Sequence, residues 1–202
     1  GHAFDKDLEN IVGRTIRLMN DTNCFALSKA TDGAGKGAIV VFGIILGTGV
    51  GAGMVVGGHV LEGHQGICGE WGHNSLPWPS DGEWPGPDCY CGRKGCTETY
   101  VSGPGMARDH EEVTGQRLTT REIVSRAVGD DDNAGASYAR YADRMARGLT
   151  AVINVLDREV VVLGGGMSNL PTLPEDVQRA LPPHVFSDRV ATRVLRNVYG
   201  DS

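Results

Sequence analysis

Apolar positions along this chain follow two periodicities, and their alternation outlines a fold. Residues 38–46 form an almost unbroken apolar and β-branched run, the pattern of a strand buried on both faces. Residues 54–60 read as a returning strand, and the intervening Gly47-Thr48-Gly49-Val50-Gly51-Ala52-Gly53 makes the pair a glycine-rich hairpin. A third buried strand covers 159–163 and closes on Gly164-Gly165-Gly166-Met167-Ser168-Asn169. By contrast, Tyr138, Tyr141, Ala142, Met145, Leu149, Val152, Ile153 and Leu156 recur at three- and four-residue steps. They predict a long helix that begins after Asp130-Asp131-Asp132-Asn133 and turns this face to the core. Shorter signals predict a strand over 15–18 ending at Asn20-Asp21, a helix over 23–29 capped by Thr22 or Asn23, and a helix near 175–181 opened by Pro174. Strands alternating with helices, with glycine turns at strand ends, predict an α/β fold whose ligands gather at the strand termini.

Residues 62–96 break this order. They are rich in glycine and proline, carry Trp78 and Trp84, and show little periodicity, so a metal or ligand is needed to hold them. Within them His73 precedes Cys89-Tyr90-Cys91-Gly92-Arg93-Lys94-Gly95-Cys96. Three thiols and one imidazole suit a closed tetrahedral Zn2+ site, which fastens a loop and does no chemistry itself. The competing reading is a disulfide pair or three unrelated buried thiols. Metal is favoured because cysteines one residue apart rarely bridge each other and close Cys/His spacing suits a zinc site.

Composition then narrows the partner. The 30 glycines are about twice the ordinary ~7% share, and they cluster beside strand-like runs, where backbone must turn tightly or approach a ligand. A net charge of -6 with no lysine or arginine cluster argues against nucleic acid. No uncharged apolar run approaches the ~20 residues of a membrane helix, and the first residues lack a secretory pattern. Cys24 and Cys68, outside the knot, are expected to be buried and reduced, and His64 and His110 to lie on the surface. A cytoplasmic protein with a small ligand follows, either one large domain or a domain with part of a second.

Gly47, Gly49 and Ala52 satisfy G-x-G-x-x-A, but a dinucleotide-binding turn needs a helix directly behind it, where residues 54–60 read as a strand. A Walker A loop is excluded because no Gly-Lys-Ser/Thr follows. What remains is a hairpin turn whose backbone N–H groups and Thr48 hydroxyl can cradle phosphate, or a tight turn with no ligand.

In chain order, Asn20-Asp21-Thr22-Asn23, Leu46-Gly47-Thr48-Gly49-Val50-Gly51, Gly69-Glu70-Trp71-Gly72-His73, the knot from Cys89 to Glu98, Ser102-Gly103 and Leu163-Gly164-Gly165-Gly166 resemble the ROK family of sugar kinases and related repressors. The resemblance covers nearly the whole chain. Residues 69–79 and Cys89-Tyr90-Cys91-Gly92 are most similar to bacterial fructokinases, with N-acetylglucosamine kinases close behind. The resemblance implies the actin-like ATPase (ribonuclease H-like) α/β fold, with residues 1–36 as a remnant of the N-terminal lobe and hinge and 37–202 as the larger lobe carrying the inserted zinc loop, 62–98. It implies Asp21 as general base for a sugar hydroxyl, Asn20 holding the sugar beside it, and Glu70, His73 and Glu98 on the remaining hydroxyls. His73 would then serve zinc with one ring nitrogen and sugar with the other. Gly47, Thr48, Gly49 and Gly51 would face the phosphates of ATP, neutralised by Mg2+, and Gly164, Gly165 and Gly166 the adenosine. The implied partners are a hexose and ATP, in a possible homodimer. N-acetylglucosamine or N-acetylmannosamine is the alternative acceptor.

Simpler roles compete residue by residue: a helix cap for Asp21 on Asn23 or Cys24, and surface ion pairs of Glu70 or Glu98 with Arg93 or Lys94. At the level of the whole chain, a non-catalytic sugar-binding module and a ROK-type regulator compete with the kinase, although a regulator would carry a helix-turn-helix ahead of the sugar domain and none is found in these residues. Family kinases also place an Asp-x-Gly-Gly-Thr-Lys phosphate turn ahead of the Asn-Asp pair. Residues 1–19 contain no such turn, and 198–202 stop before the family's final helix. The expectation is a truncated chain or fragment that binds zinc and a sugar and phosphorylates poorly or not at all.

Overall fold

The computed structural model describes residues 4–198; residues 1–3 and the chain end at 199–202 lie outside the described part. One mixed sheet of five strands runs in the order β3-β2-β1-β4-β5. β1 (Val40–Leu46) and β2 (Val50–Val56) pair antiparallel, from Val40 opposite Val56 to Leu46 opposite Val50, and β3 (His59–Val60) extends the meander. β4 (Val160–Gly164) lies parallel beside β1, and β5 (Arg193–Arg196) parallel beside β4. Parallel pairing requires a crossover, here supplied by α3 (Glu98–Val101), α4 (Gly103–Thr114), α5 (Thr120–Val128) and α6 (Asp132–Leu156). α7 (Leu173–Ala180) links β4 to β5, while α1 (Phe4–Val12) and α2 (Asp21–Thr31) precede the sheet.

The unbroken apolar runs are explained by burial on both faces. Val41, Val55, Val160 and Val162 pack against Phe25 and Ala26 of α2. Their alternate neighbours Phe42, Ile44, Met54, Val161 and Leu163 face the core formed with α5, α6 and α7. The α6 face expected from the three- and four-residue steps is the buried one: Tyr141, Ala142, Met145, Leu149 and Ile153 are in the core, with Tyr138, Val152 and Leu156 packed at its edge. Asp131 caps this helix, its side chain accepting the Ala134 N–H at 3.0 Å. No described helix is long and apolar enough to cross a membrane.

Several expectations need correction. Residues 15–18 form no strand, since no described strand lies alongside to complete a ladder. β2 starts at Val50 rather than at 54, because the turn uses only residues 47–49 and the next glycines lie inside the strand. Gly53 is there because α2 crosses the sheet against it: a Cβ would sit 2.8 Å from the Asn23 Cα. The α2 cap is Asn20, not Thr22 or Asn23. His110 is 1% exposed and bonds Ser137 across α4 and α6 (Nδ1 to Oγ, 2.9 Å), whereas Cys24 is exposed and Cys68 half-buried. Helices α1, α3, α4 and α5 and strand β5 were not anticipated from the periodicities above.

Candidate functional site

The hairpin turn between β1 and β2 is the meeting point of the site. Gly47 N–H donates to the Gly49 carbonyl at 3.0 Å, and the Gly47 carbonyl in turn accepts the Gly103 N–H at 2.9 Å. Gly165, at φ +77°, presses its backbone against Leu46, where a Cβ would lie 2.8 Å from the Leu46 nitrogen. Two chain segments remote in sequence therefore abut one turn, leaving a cleft of about 440 Å³ lined by Gly47, Thr48, Gly103, Thr120, Arg121 and Gly166 among others. Thr48 and Gly49 are exposed on the turn. Arg121 is the one charged side chain among the described residues lining this cleft. It opens α5, whose N-terminus is fixed by a Thr119/Glu122 capping box.

On the other side of the turn, α2 begins. The Asn20 Oδ1 accepts the Thr22 N–H at 2.8 Å and the Thr22 hydroxyl at 2.6 Å, and the Asp21 Oδ1 also accepts the Thr22 N–H at 2.8 Å. Asp21 is thus exposed at the first position of α2, where the helix dipole favours negative charge. Thr22 lies against β2 just beyond the turn; a Cβ on Gly51 would come within 2.7 Å of its methyl group. Glu98 reaches the same turn from α3, its Oε2 accepting the Val50 N–H at 2.7 Å in a buried position. Lys94, its expected surface partner, pairs with Asp88 at 3.0 Å instead. Glu70 is exposed and precedes a short 3-10 turn, Trp71–His73, anchored by Trp71, which is 4% exposed and packs edge-on to Phe42. Gly72 in that turn lies against Val50 and Glu98. The predicted acid, sugar-side and phosphate-side residues are therefore grouped around one end of the β1–β2 hairpin.

The predicted metal ligands also converge. The ligand atoms of His73, Cys89, Cys91 and Cys96 all lie within 4.8 Å of one another. The Cys91 and Cys96 sulfurs are 3.6 Å apart, and the Cys89 sulfur is 3.5 Å from the His73 Nδ1. Zn–S bonds of about 2.3 Å and Zn–N bonds of about 2.0 Å at tetrahedral angles give edges of roughly 3.5–3.8 Å, so the set fits zinc. None of the five cysteines is bridged. Burial pushes the Cys96 thiol up to about 12, while the Arg93 backbone N–H holds Cys91 below its ordinary value. A thiolate at Cys96 therefore needs a cation beside it. With Nδ1 turned to the ligand set, the His73 Nε2 lies 2.8 Å from the Tyr90 hydroxyl, a partner the sequence did not suggest.

A larger cleft, about 770 Å³, lies elsewhere, between residues 80–87 and helices α4 and α6. It contains none of the predicted site residues, and its buried acids and arginines are already paired with one another. The chemistry on offer is divided by the hairpin turn: the turn itself and Arg121 line the smaller cleft, and the exposed Asp21 carboxylate lies on the turn's other side. Of the residues that sequence reasoning missed there, Gly103 lay inside a quoted motif without a role, and Thr119-x-x-Glu122 is a capping-box signal that would have located α5 and Arg121.

Known proteins share this fold. An N-acetyl-D-glucosamine kinase of Yersinia enterocolitica is 35% identical over 206 residues, covering 100% of this chain and 68% of the relative. The corresponding kinase of Photobacterium profundum is 37% identical with the same coverage. A ROK hexokinase from Thermus thermophilus superposes with a TM-score of 0.85 at 32% identity, covering 97% of this chain and 64% of that one. A ROK family glucokinase from Streptomyces griseus, solved with glucose and AMPPNP, gives 0.82 at 25% identity, covering 98% and 68%. The chain spans about two thirds of the length of these relatives. Its mixed α/β architecture is the actin-like ATPase fold of these kinases. With a ROK family profile matching residues 1–202 and relatives above 30% identity along all of it, the chain belongs to the ROK family.

Proposed function

We propose that this chain carries the acceptor side and one nucleotide face of an ATP-dependent sugar kinase that phosphorylates an aldohexose or N-acetylhexosamine. The observation that carries this reading is the grouping of Asp21, the Gly47–Gly51 turn and Glu98 at one end of the β1–β2 hairpin. Phosphoryl transfer asks a protein mainly to align an acceptor oxygen with the γ-phosphate, and a carboxylate beside a phosphate-cradling turn does this. Asp21 takes the hydroxyl proton as attack proceeds, and Asn20, Glu70 and Glu98 hold the other hydroxyls. His73, expected to serve zinc and sugar with its two ring nitrogens, has Nδ1 toward the metal set and Nε2 on the Tyr90 hydroxyl, so it shapes the pocket wall instead. Gly47, Thr48 and Gly49 face the phosphates, joined by Arg121, and Gly166 faces the adenosine. Gly51, by contrast, lies inside β2 against Thr22, and Gly164 and Gly165 are buried against Phe25 and Leu46 behind the cleft. Bound Mg2+ supplies charge neutralisation at the phosphates, and Zn2+ at His73, Cys89, Cys91 and Cys96 fixes the wall of the sugar pocket.

The identity of the acceptor moves away from the fructokinase-like reading of residues 69–79. Identity of 34–37% along the whole of this chain to N-acetyl-D-glucosamine kinases, 68% of whose length it spans, supports an aldose acceptor better than a ketose. A reducing compartment such as the cytoplasm suits three thiolate ligands. The homodimer belongs to the same reading and is measured by sedimentation. The deciding experiment is ADP release with Mg-ATP and a panel of N-acetylglucosamine, N-acetylmannosamine, glucose, mannose and fructose, for the protein and its Asp21→Asn form. Slow turnover with an aldose, lowered about 10²–10⁴-fold further by the substitution while sugar affinity persists, is the expected result for a chain that carries one face of the nucleotide site. Turnover that Asp21→Asn leaves unchanged overturns the assignment of the base.

A further inference from the structure

Glu98 is joined to two regions that the proposed function treats separately. It opens α3 two residues after Cys96 of the metal set, and it is 9% exposed. Its Oε2 accepts the N–H of Val50, the residue at which β2 leaves the phosphate-facing turn, at 2.7 Å. The fit is close: a Cβ on Gly49 would sit 2.9 Å from the same oxygen. Behind Glu98, the two arms of the knot are stitched together backbone to backbone. Leu76 N–H donates to the Gly95 carbonyl at 3.0 Å, and Thr97 N–H to the Asn74 carbonyl at 2.8 Å, with the Thr97 hydroxyl on that carbonyl too. The Cys96 sulfur also lies 3.5 Å from the His73 carbonyl oxygen, which brings the two arms together. One ligand of the metal set thus lies on each arm of a short ladder whose exit residue is Glu98, Cys96 at its middle rung opposite Ser75 and His73 just beyond Asn74.

We propose that Glu98 is a positioning residue through which the zinc knot sets the conformation of the glycine turn, so that the metal orders the nucleotide side of the site as well as the sugar side. The proposal rests on the reading of that turn as the phosphate-facing one. A carboxylate that accepts a buried backbone N–H makes one of the stronger hydrogen bonds available to a protein, and it is directional. Committing Oε2 to Val50 leaves Oε1 for a sugar hydroxyl, so a single side chain touches the acceptor pocket and holds the turn on which the phosphates rest. Without metal, the two arms of the ladder that aims Glu98 are no longer tied through His73 and Cys96, and the turn loses the carboxylate that holds Val50.

The test is amide hydrogen exchange over residues 46–51 together with ADP affinity, measured on the wild-type protein, on the same protein after chelation, and on Glu98→Ala, Glu98→Asp and Glu98→Gln. Chelation and Glu98→Ala should each speed exchange at Val50 by about 10-fold or more and weaken ADP binding by a similar factor, and Glu98→Ala should keep its zinc. Glu98→Gln retains an acceptor oxygen at the same reach and should stay near wild type. Glu98→Asp keeps the charge but falls one methylene short, so it should resemble Glu98→Ala and serves in its place if the alanine form does not fold. Unchanged exchange at 46–51 after chelation, or in both Glu98→Ala and Glu98→Asp, overturns the proposal even if sugar affinity falls. Exchange that responds as expected while wild type shows no affinity for ADP keeps the mechanical link and overturns instead the phosphate reading of the turn.

Discussion

Residues 89–98 and residues 77–88 are neighbours in sequence and equally poor in regular structure, yet they are fastened by different chemistry. The first stretch closes on the four-ligand set of His73, Cys89, Cys91 and Cys96. The second is strapped to α6 by Glu83, which is 7% exposed and accepts hydrogen bonds from Arg144 at 2.6 Å and from Arg147 at 2.8 and 2.9 Å. Asp109 of α4 takes the other side of Arg144 at 2.6 Å, and the Ser80 N–H closes a turn onto Glu83 at 2.8 Å. A metal staple can be withdrawn without changing the chain, whereas an ion-pair staple is bound to the pH and to the cost of burying charge. On the proposed reading, the metal serves the segment that reaches the β1–β2 turn through Glu98, and the ion pairs serve a segment that lines no part of the cleft at that turn.

The largest effect expected from breaking this pairing is on the metal side. Cys91→Ser should release zinc, measured as metal per chain, and render residues 89–98 sensitive to protease while 77–88 stay protected by the strap. Structural zinc contributes on the order of 10 kcal/mol to the folds it closes, so partial order in 89–98 after metal loss would contradict the fit described above. Next comes Glu83→Ala. It leaves two guanidinium groups buried without their carboxylate, and the cost should be about 3–5 kcal/mol in denaturant unfolding, with zinc content unchanged. A loss below ~1 kcal/mol would mean that Arg144 and Arg147 find solvent or Asp109 and Asp143 without rearrangement.

The two staples also differ in how far they can be read from sequence. The knot is legible because three of its ligands fall within eight residues, Cys89 to Cys96, and only His73 has to be brought from a distance. The strap is not, because Glu83 and its arginines are 61 and 64 residues apart and nothing in a helical periodicity marks Arg144 and Arg147 as buried. The apolar face of α6 was correctly outlined, but the same helix carries a second, polar burial beside it. A similar limit applies at the turn. Gly47 to Gly53 announced a hairpin, but which glycines turn and which lie under α2 depends on a helix that crosses from another part of the chain. The Glu98 bond to Val50 spans 48 residues and likewise leaves no local pattern.

Acid should separate the staples further. Burial alone would raise the Glu83 carboxyl, but the hydrogen bonds from Arg147 and Arg144 outweigh it and hold it far below the ordinary carboxylate range. A group whose pKa is lower folded than unfolded contributes stability that is fully present above its unfolded value and lost as pH falls toward the folded one. For a glutamate that loss begins below about pH 4.3. Zinc leaves on acidification too, because its thiolate ligands must be deprotonated. The comparison is therefore made in the Cys91→Ser background, where the slope of stability against pH below ~4.5 should be shallower once Glu83→Gln is added.

The smallest effect, and the sharpest, concerns Trp78 at the near end of the strap. Its ring stacks on His184 with centroids 6.0 Å apart and planes 13° from parallel, and its carbonyl accepts the Arg147 Nη1 at 2.9 Å. His184 is in turn 3.1 Å from Asp143, which pairs with Arg147 at 2.9 Å, so the stack extends the Glu83 network to the surface. Yet Trp78 has φ +45°, a left-handed conformation that costs a residue bearing a Cβ about 1–2 kcal/mol, and it is 58% exposed. Trp78→Ala gives up the stack, worth about 0.5–1.5 kcal/mol, and keeps the strain. Trp78→Gly gives up the same stack and relieves the strain. Its own cost is the greater freedom of the unfolded chain, which is smaller than the relief. Unfolding measurements should therefore find Trp78→Gly more stable than Trp78→Ala by about 0.5–1 kcal/mol. An alanine form equal to or better than the glycine form would mean that the strap does not force that backbone angle, and that the stacking, not the Arg147 bond to the carbonyl, sets the path of the chain there.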